Sequence, residues 1–469
     1  MSNKIIIFGV GQYCKKRLCC FEDENVIAFS DNNKNMWGKT INDICIINPM
    51  ELITLQYDAI CIMTGYSKSL EIKQQLIRLG INEEKIYNND IDYFSKKENK
   101  KIVIKSSGNI IKNKIAYFVP NFYNSGGIRA AYYAVSMLME IYKSITVISP
   151  CDGEVRTEFE KKGADIIITP DVSGENELLW NLISECKIIF LNGLYYSYLT
   201  PYLSKCDDKK IVWWLHTGAS IYKNYPLLCK NSDMNNIEVY GVSNIVQEAY
   251  RINSSGGKIG LLPFGIPETP FEKNKKINHE KMIFAIVGAV VPVKGVDVLL
   301  KSVNKLSDIE KNKIEIWIIG DEIDSKYAKE MHLLSKGLEC VKWLGKKNHE
   351  EVMKLYNEID VLISSSREDM LPIVTIEAFQ NSIACIMSDA IGTAGYIISG
   401  YHSLVFNSED EEDLAEKIRT FINNPLLAKE MGTKARTIYE KFFSMDAFKN
   451  NLMKVCKVKE NESESISSL

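Results

Sequence analysis

Residues 360–379 read DVLISSSREDMLPIVTIEAF, and the order of residue types in this stretch indicates the fold. An apolar run at 360–363 predicts a buried parallel strand. The polar loop after it leads into a predicted helix with Pro372 in its first turn, where a missing N–H costs nothing. Open α/β sheets bind ligands at the carboxyl ends of their strands, and a helix start there offers free N–H groups to a phosphate. The stretch therefore predicts an α/β fold with an anion site in this loop.

Two carboxylates flank the predicted anion site. Asp369 lies in the loop and Glu377 lies more than one turn into the helix, so they differ in reach. One could bind a hydroxyl of a ligand's head and the other the diol of a ribose. An Asp before a helix can equally be an N-cap, and a Glu within one can be a solvated surface residue. The two residues alone leave these alternatives open.

The spacing of the two acids resembles a known signature. Seven residues separate Asp369 from Glu377, and Ala378 and Phe379 follow. This pattern resembles the acidic E-x7-E motif of glycosyltransferase family 4, in an Asp-first form. Members of that family are retaining sugar transferases of the GT-B fold, and the resemblance extends over residues 114–445. It implies two doubly wound Rossmann-like domains facing a cleft, with strands and helices alternating in each.

Composition and charge bound the class of protein. The chain has 469 residues, a length typical of two or three domains, with 46% hydrophobic and 25% charged residues. The net charge of −3 argues against an obligate nucleic-acid binder. The apolar run at 5–8 is too short for a signal peptide, and we find no run of the ~18 apolar residues that a membrane helix needs. We therefore expect a cytoplasmic protein, with contact at the inner face of the membrane left open.

The cysteines do not indicate a metal or a disulfide framework. The twelve cysteines are scattered, Cys19 and Cys20 form the only close pair, and no C-x-x-C occurs. The five histidines do not group with them, which makes zinc unexpected. We expect most of the cysteines to be reduced, buried, small apolar residues.

Residues 1–95 predict a separate small α/β unit. A strand at 4–8 runs into GVGQYC, the first βα turn of a dinucleotide-binding fold, with Cys14 where the third glycine would stand. Asp31 follows the second strand at about the expected distance. The unit resembles the small Rossmann-like domains fused to some sugar transferases and sugar-modifying enzymes. Binding of a nucleotide, an acceptor, a partner subunit or a second copy of the chain remains open for it.

Residues 114–270 correspond to the N-terminal, acceptor-side domain of the resemblance. The loop NFYNSGGIR follows the first strand, and its Gly126 and Gly127 would let a phosphate approach the backbone. The resemblance implies that these two amides lie near the donor's diphosphate or the acceptor. His216 follows a later strand and resembles the family's histidine that approaches the donor sugar. A plain tight turn and a structural histidine are the alternatives.

Residues 271–445 correspond to the donor domain. Its first strand ends at Gly288, and Lys294 in the following loop resembles the family's phosphate-binding lysine; a solvated charge is the alternative. The sequence departs from the family at Ala289, where an arginine is common, and at Gly395, where a glutamate is common. The resemblance implies further donor contacts from the following residues: Leu344, Met370, Leu371 and Thr375.

The remaining segments follow from composition and from the fold. Residues 96–113 are rich in Lys, Asn and Ser and predict a linker. A helix at 446–458 would cross back onto the N-terminal domain, as in GT-B enzymes. Residues 459–469 are acidic and Ser-rich and predict a disordered tail.

The resemblance implies transfer of a sugar from a nucleoside diphosphate donor, such as a UDP- or GDP-sugar, to a hydroxyl. The acceptor would be a glycan, a lipid-linked sugar or a protein, in bacterial surface glycan or glycoprotein synthesis. Retention would proceed on one face of the sugar, with the leaving phosphate taking the acceptor's proton, and no metal or cofactor is required. Two alternatives remain: an inactive transferase-like partner subunit, suggested by Ala289 and Gly395, and an NAD(P)-dependent sugar-modifying enzyme that uses residues 1–95.

Overall fold

The computed structural model describes residues 3–97, 102–105, 114–142, 144–222, 234, 236–254, 256–269 and 280–457. The chain divides into two compact units, which we call unit 1 and unit 2. Unit 1 takes its described residues from 1–240, 250–259 and 455–469, and unit 2 consists of 241–249 and 260–454.

The first sheet of unit 1 is formed by the N-terminal residues. Its strands are β1 (Lys4–Phe8), β2 (Asn25–Ser30), β3 (Thr40–Ile41), β4 (Ile44–Ile47), β5 (Ala59–Ile62) and β6 (Ile86–Tyr87), with helices α1 (Gln12–Arg17), α2 (Tyr66–Arg78) and α3 (Asp90–Ser95). The strand order is β3-β4-β2-β1-β5-β6, and the pairs are parallel except β3 with β4. Buried aliphatic side chains of β1 and β5 fill both faces, as expected of a doubly wound sheet.

The second sheet of unit 1 follows. Its strands are β7 (Val103–Lys105), β8 (Ile115–Phe118), β9 (Ile145–Ser149), β10 (Asp165–Ile168), β11 (Ile188–Asn192), β12 (Lys210–Leu215) and β13 (Ile237–Gly241), with helices α4 (Gly126–Tyr142), α5 (Arg156–Lys161), α6 (Glu177–Leu182), α7 (Thr200–Leu203) and α8 (Ala219–Tyr222). Helix α9 (Asn244–Asn253) begins in the residues assigned to unit 2 and ends in those assigned to unit 1. Within the unit the order is β13-β12-β11-β8-β9-β10-β7. The edge strand β7 is antiparallel to β10.

A buried ion pair joins the two sheets of unit 1. Arg17 at the end of α1 contacts Asp90 at the start of α3, with 2.7 Å between Nη2 and Oδ2. The same guanidinium donates to the carbonyl of Pro120 at 3.0 Å and to the hydroxyl of Tyr195 at 2.6 Å. Pro120 and Tyr195 belong to the part of the chain that forms the second sheet. Residues 1–95 are therefore hydrogen-bonded to that part through the buried guanidinium of Arg17.

Unit 2 contains a parallel sheet, preceded in the chain by the short strand β14 (Gly260–Leu261). The strands of the sheet are β15 (Met282–Val287), β16 (Ile314–Ile319), β17 (Val341–Gly345), β18 (Val361–Ser364), β19 (Ala384–Ser388) and β20 (Leu404–Phe406); the helices are α10 (Val296–Asn304), α11 (Asp308–Lys311), α12 (Ser325–Leu334), α13 (His349–Leu355), α14 (Ile373–Gln380), α15 (Glu411–Asn423), α16 (Pro425–Ile438) and α17 (Met445–Cys456). The order β17-β16-β15-β18-β19-β20 makes β15 and β18 neighbours, so the loops after them meet at one edge.

Apolar runs in the sequence also predict strands at 165–168, 210–215 and 314–319. These three strands and the one predicted at 4–8 are confirmed at both ends. The strand predicted at 360–363 begins one residue later, as β18, because the side chain of Asp360 is hydrogen-bonded to the neighbouring strand. Its carboxylate accepts a hydrogen bond from the Ile283 amide at 2.8 Å and so caps the neighbouring strand.

Within residues 96–113, Val103–Lys105 form the edge strand β7, although the composition of the segment predicts a linker. Two aliphatic residues and a free edge on β10 suffice for this pairing. The rest of that segment at 98–101 and 106–113, and the predicted tail at 459–469, lie outside the described residues. The helix predicted at 446–458 is observed at Met445–Cys456, two residues shorter at its end, and residue 458 lies outside the described residues.

Candidate functional site

Lys294 and Asp369 form a charged pair at the carboxyl ends of two neighbouring strands of unit 2. Lys294 ends the short 3₁₀ turn Pro292–Lys294 after β15, and Asp369 lies in the loop after β18. The distance between Nζ and Oδ2 is 2.5 Å. The side chains are 30% and 19% exposed, so both remain accessible to a ligand. The two residues that the sequence singled out 75 positions apart therefore share one site.

Gly295 lets the lysine loop pack against the acidic loop. Its φ of +69° is the left-handed conformation that favours glycine. A Cβ at this position would lie 2.0 Å from the carbonyl oxygen of Ser365. The Ser365 hydroxyl in turn donates to the carbonyl of Gly295 at 2.9 Å. Gly295 is thus required for the packing of the two loops, and Lys294 supplies the charge.

Helix α14 begins directly after the acidic loop. Pro372 is its N-cap, not a residue of its first turn as the sequence predicts. Gly392 fixes the loop by donating its amide to the carbonyl of Asp369 at 2.8 Å. The side chain of Leu371 is buried, and the Thr375 hydroxyl, which is fully buried, donates to the carbonyl of Pro372 at 2.8 Å. Thr375 therefore serves the helix start through its side chain, and the side chains of Leu371 and Thr375 are not available to a ligand.

Glu377 is buried within α14, and both of its carboxylate oxygens have partners. His349 Nε2 lies 2.9 Å from Oε1, and the Tyr356 hydroxyl donates to Oε2 at 3.1 Å. Burial, reinforced by the charge of Glu377, raises the pKa of Tyr356 well above its usual range. Sequence reasoning missed both partners. His349 is an exposed residue at the start of α13 and still reaches the carboxylate.

Gly288 lies beside Lys294, whereas Leu344 lies further along the sheet. The Lys294 Cε is 3.9 Å from the position of a Cβ on Gly288. A Cβ on Gly320 would lie 1.8 Å from the carbonyl oxygen of Gly288, so the loops after β15 and β16 are in close contact. Leu344 is on the edge strand β17, two strands away from β15.

The departure from the family at Gly395 has a steric explanation. A Cβ on Gly395 would lie 2.4 Å from the side-chain oxygen of Asn244. The next residue, Tyr396, donates its hydroxyl to the carbonyl of Val242 at 2.6 Å. The asparagine occupies the space that a side chain at 395 would need, so a glutamate does not fit in this arrangement.

Ala289 stands where an arginine is common in the family, and Arg367, in the loop that carries Asp369, does not replace that arginine. Its guanidinium forms a bidentate pair with Asp297, at 2.9 and 2.8 Å, and its Nε contacts Glu409 at 2.8 Å. Burial opposes ionisation of Asp297, but the hydrogen bonds from Arg367 and Tyr327 outweigh it and lower its pKa. Arg367 therefore ties the loop to α10, and Lys294 is the cation that pairs with Asp369.

In unit 1, the predicted residues Gly127 and His216 are brought together by an asparagine. The Asn192 side chain donates to the carbonyl of Gly127 at 3.2 Å, and its oxygen lies 3.0 Å from His216 Nε2. Burial lowers the pKa of His216 to about 3, so the imidazole is neutral near pH 7. Gly126 is the first residue of α4, and open space surrounds the position of its Cβ. Asn192, at the end of β11, was not predicted.

The first βα turn of residues 1–95 is bound to its own chain. Cys14 is fully buried at the position of the third glycine. The Asp31 carboxylate accepts hydrogen bonds from the amides of Val10 at 2.9 Å and Asn33 at 2.8 Å. Asp31, the acid that could bind a ribose hydroxyl, thus closes the loop through these two hydrogen bonds.

Solved structures with this arrangement of sheets define the fold. A glycosyltransferase from Rickettsia africae is 18% identical, with a TM-score of 0.60, over 73% of this chain and 97% of its own. Anabaena Alr3699/HepE in complex with UDP is 14% identical, with a TM-score of 0.60, over 73% of this chain and 98% of its own. The fold is GT-B, as predicted, with Rossmann-like domains built on parallel strands.

Sequence comparison assigns the part of the chain that carries the site. Residues 268–438, less than half of the chain, match the family described as glycosyl transferases group 1. Residues 1–87 match the family described as C2185-like, N-terminal. The uncharacterized glycosyltransferase MJ1178 of Methanocaldococcus jannaschii is 32% identical over 157 residues, which are 33% of this chain and 42% of that protein.

A second relative is the capsular polysaccharide biosynthesis glycosyltransferase CapM of Staphylococcus aureus. It is 23% identical over 174 residues, which are 37% of this chain and 45% of CapM. The chain thus matches less than half the length of these curated relatives. Within the described part of the chain, the helices fall short of the length and apolarity that a membrane crossing requires.

Proposed function

We propose that this protein is a retaining glycosyltransferase that moves a sugar from a nucleoside diphosphate donor to a hydroxyl acceptor. The observation that carries the proposal is the Lys294–Asp369 pair beside the start of α14, inside the stretch that matches group 1 glycosyl transferases. Anabaena Alr3699/HepE has been solved with UDP and glucose, which supports a nucleotide-sugar as the donor class.

In the proposed reaction, Lys294 and the amides of Met370 and Leu371 stabilise the charge of the departing diphosphate. A lysine ammonium is a compact cation, and preorganised donors lower the barrier most where charge develops. The bond between the sugar and the phosphate oxygen breaks, and a bond to the acceptor oxygen forms on the same face. The acceptor's proton passes to the leaving phosphate, so the protein needs no separate general base.

In the proposal, Glu377 and Asp369 bind the two sugars of the donor, which are the ribose and the transferred sugar. We assign Glu377 to the ribose hydroxyls, because the buried Tyr356 and the exposed His349 hold its carboxylate in place. Asp369, which is more exposed, is assigned to the hydroxyls of the transferred sugar. In this assignment the backbone of Gly288 lies next to Lys294 at the donor. The backbone of Leu344 contacts the base.

For unit 1, we propose that Gly126, Gly127 and His216 bind the transferred sugar or the acceptor. A neutral imidazole held by Asn192 can exchange hydrogen bonds with hydroxyl groups without adding charge. The name of CapM favours a bacterial surface polysaccharide as the product. A cytoplasmic location, at the inner face of the membrane, would suit such an acceptor.

Release of nucleoside diphosphate from a panel of UDP- and GDP-sugars tests the proposal. Glu377→Gln and Lys294→Gln should each lower kcat/KM by about 10- to 100-fold, the value of a lost charge-assisted hydrogen bond. The matched controls are Glu350→Gln and Lys346→Gln, whose side chains are 81% and 75% exposed. The proposal is wrong if the two site variants retain the activity of the controls.

An inactive partner subunit is the second candidate, favoured by Ala289 and by the Asn244 side chain where the family has a glutamate. It predicts that the wild-type protein releases no nucleoside diphosphate from any donor at high enzyme concentration. It also predicts co-purification with an active homologue. Turnover by the chain alone would exclude it.

A further inference from the structure

Three cysteine sulfurs come together in unit 1, away from the residues discussed so far. Cys19 and Cys20 lie in the 3₁₀ turn Leu18–Phe21 after α1, and Cys151 follows β9 in the second sheet's part of the chain. The three Sγ atoms all lie within 4.8 Å of one another. Because Cys151 lies more than 130 positions from the adjacent pair Cys19 and Cys20, this cluster is a product of the fold and not of a sequence motif.

The surroundings of the cluster hold the sulfurs in place. Cys20 is 6% exposed and Cys151 is 2% exposed, whereas Cys19 is partly exposed. The Ser149 hydroxyl donates to the carbonyl of Cys151 at 2.7 Å and accepts from its amide at 3.3 Å, which fixes the turn that carries this cysteine.

We propose that Cys19, Cys20 and Cys151 bind a thiophilic divalent cation, zinc, at the junction between residues 1–95 and the second sheet. Sulfurs around a tetrahedral zinc ion are separated by about 3.8 Å, given Zn–S bonds of about 2.3 Å. The observed spacing requires each pair to close by at most about 1 Å, which is within the reach of a χ1 adjustment.

The charge balance favours a divalent ion over a monovalent one. Three thiolates around Zn²⁺ carry one net negative charge, and around a monovalent ion they would carry two, which burial penalises more strongly. Arg17 lies near the cluster. Since Arg17 is itself paired with the buried Asp90, it supports thiolates without giving the junction a net charge.

The expected effect of the ion is to fasten two parts of unit 1 to each other. A ligand that binds only the folded state raises its stability by an amount that grows with the ligand concentration over Kd. Zinc would therefore stabilise the contact between the turn 18–21 and the loop at Cys151. A disulfide between Cys151 and Cys19 or Cys20 is the competing arrangement of the same atoms, and it would exclude the metal.

Cobalt substitution in the full-length protein tests the site, because Co²⁺ in a thiolate site gives an intense visible and near-ultraviolet absorption. We expect about one equivalent of Co²⁺ per chain, displaced by Zn²⁺, and a rise of the melting temperature with either metal. The double variant Cys19→Ser/Cys20→Ser should lose both signals. Cys206→Ser, which changes a partly buried cysteine outside the cluster, should keep them.

A second measurement on the wild-type protein does not depend on the folding of a variant. Iodoacetamide labelling followed by mass spectrometry should modify Cys19 in metal-free protein, and stoichiometric Zn²⁺ should protect it. The proposal is overturned if no thiolate–cobalt absorption develops and zinc leaves the labelling of Cys19 unchanged. It is equally overturned if protein purified without reductant carries a disulfide between Cys151 and either neighbour.

Discussion

His216 is a histidine kept neutral by its position in unit 1, and this has a consequence for acid stability. Burial lowers its pKa to about 3 in the folded state, below the value of about 6.5 in an unfolded chain. Between these values the unfolded chain binds one more proton than the folded chain. The contribution of His216 to stability is therefore complete above pH 6.5 and is lost as the pH falls toward 3.

We expect His216→Gln to remove part of this pH dependence. Between pH 7 and pH 5 the wild type should lose up to about 2 kcal/mol of unfolding free energy that the variant keeps. Urea unfolding at both pH values measures the difference, with the exposed His332→Gln as control. Parallel losses in the wild type and in His216→Gln would contradict the account of a buried neutral imidazole.

Tyr356 is the second residue whose role can be isolated. Tyr356→Phe removes the hydrogen bond to Glu377 Oε2 and leaves the carboxylate and the ring in place. We expect donor affinity to fall about 5- to 10-fold, the value of one hydrogen bond, with kcat changed less. Steady-state kinetics with the preferred donor measures the change in KM. An unchanged KM would mean that the orientation of Glu377 does not depend on this hydroxyl.

The candidate site residues could be predicted from the sequence as far as they lie in local motifs. Lys294, Asp369 and Glu377 each follow a strand in a recognisable loop or helix start, and the structure places the first two in one ion pair. Their partners could not be predicted, because His349 and Tyr356 reach Glu377 from another helix. Cys151 likewise meets Cys19 only through tertiary packing.

At the scale of elements, the short helix Gly392–Tyr396 depends on a contact with the segment at 242–244. Gly395 has no room for a side chain because Asn244 occupies that space. We expect Gly395→Glu to destabilise the protein by about 1–3 kcal/mol, as overpacking does. Adding Asn244→Ala should restore part of the loss.

A double-mutant cycle on melting temperature or urea midpoint measures this coupling. Gly400→Ala is not a suitable control, because its φ of +83° is itself unfavourable for a side chain. Gly11→Ala is preferable, since its Cβ would meet open space. Additive effects of Gly395→Glu and Asn244→Ala would contradict the steric explanation.

Strands were predicted well because their buried aliphatic runs carry the signal themselves. Four strands match at both ends. The strand β18 is shifted by one residue, because the Asp360 carboxylate caps the neighbouring strand β15. The strand Val103–Lys105 was missed for a different reason. Its three residues form a strand through pairing with Asp165–Ile168, and such pairing leaves no periodic pattern in a short polar segment.

At the scale of the whole molecule, the Arg17–Asp90 pair ties residues 1–95 to the second sheet of unit 1. Both side chains are buried, at 5% and 0% exposure. We expect Arg17→Met to leave the Asp90 charge unpaired and to cost about 3–5 kcal/mol of unfolding free energy. Lys73→Met, which breaks a surface pair with Glu83, should cost less than about 1 kcal/mol.

Urea or thermal unfolding of the full-length chain compares the two variants. Equal, small losses would show that residues 1–95 are not fastened through this cation. The resemblance could not have predicted this junction, since the motifs that carry it begin after residue 114. The match at residues 1–87 identifies the appended segment, and the structure supplies its attachment.

The central claim is that Lys294, Asp369 and Glu377 form a nucleoside diphosphate site, and calorimetric titration of UDP and GDP tests it most directly. We predict that one of them binds the wild type. Affinity should fall about 10- to 100-fold in both Lys294→Gln and Glu377→Gln and be unchanged in Lys346→Gln. Binding of the same nucleotide to Lys294→Gln and Glu377→Gln with wild-type affinity would contradict the account.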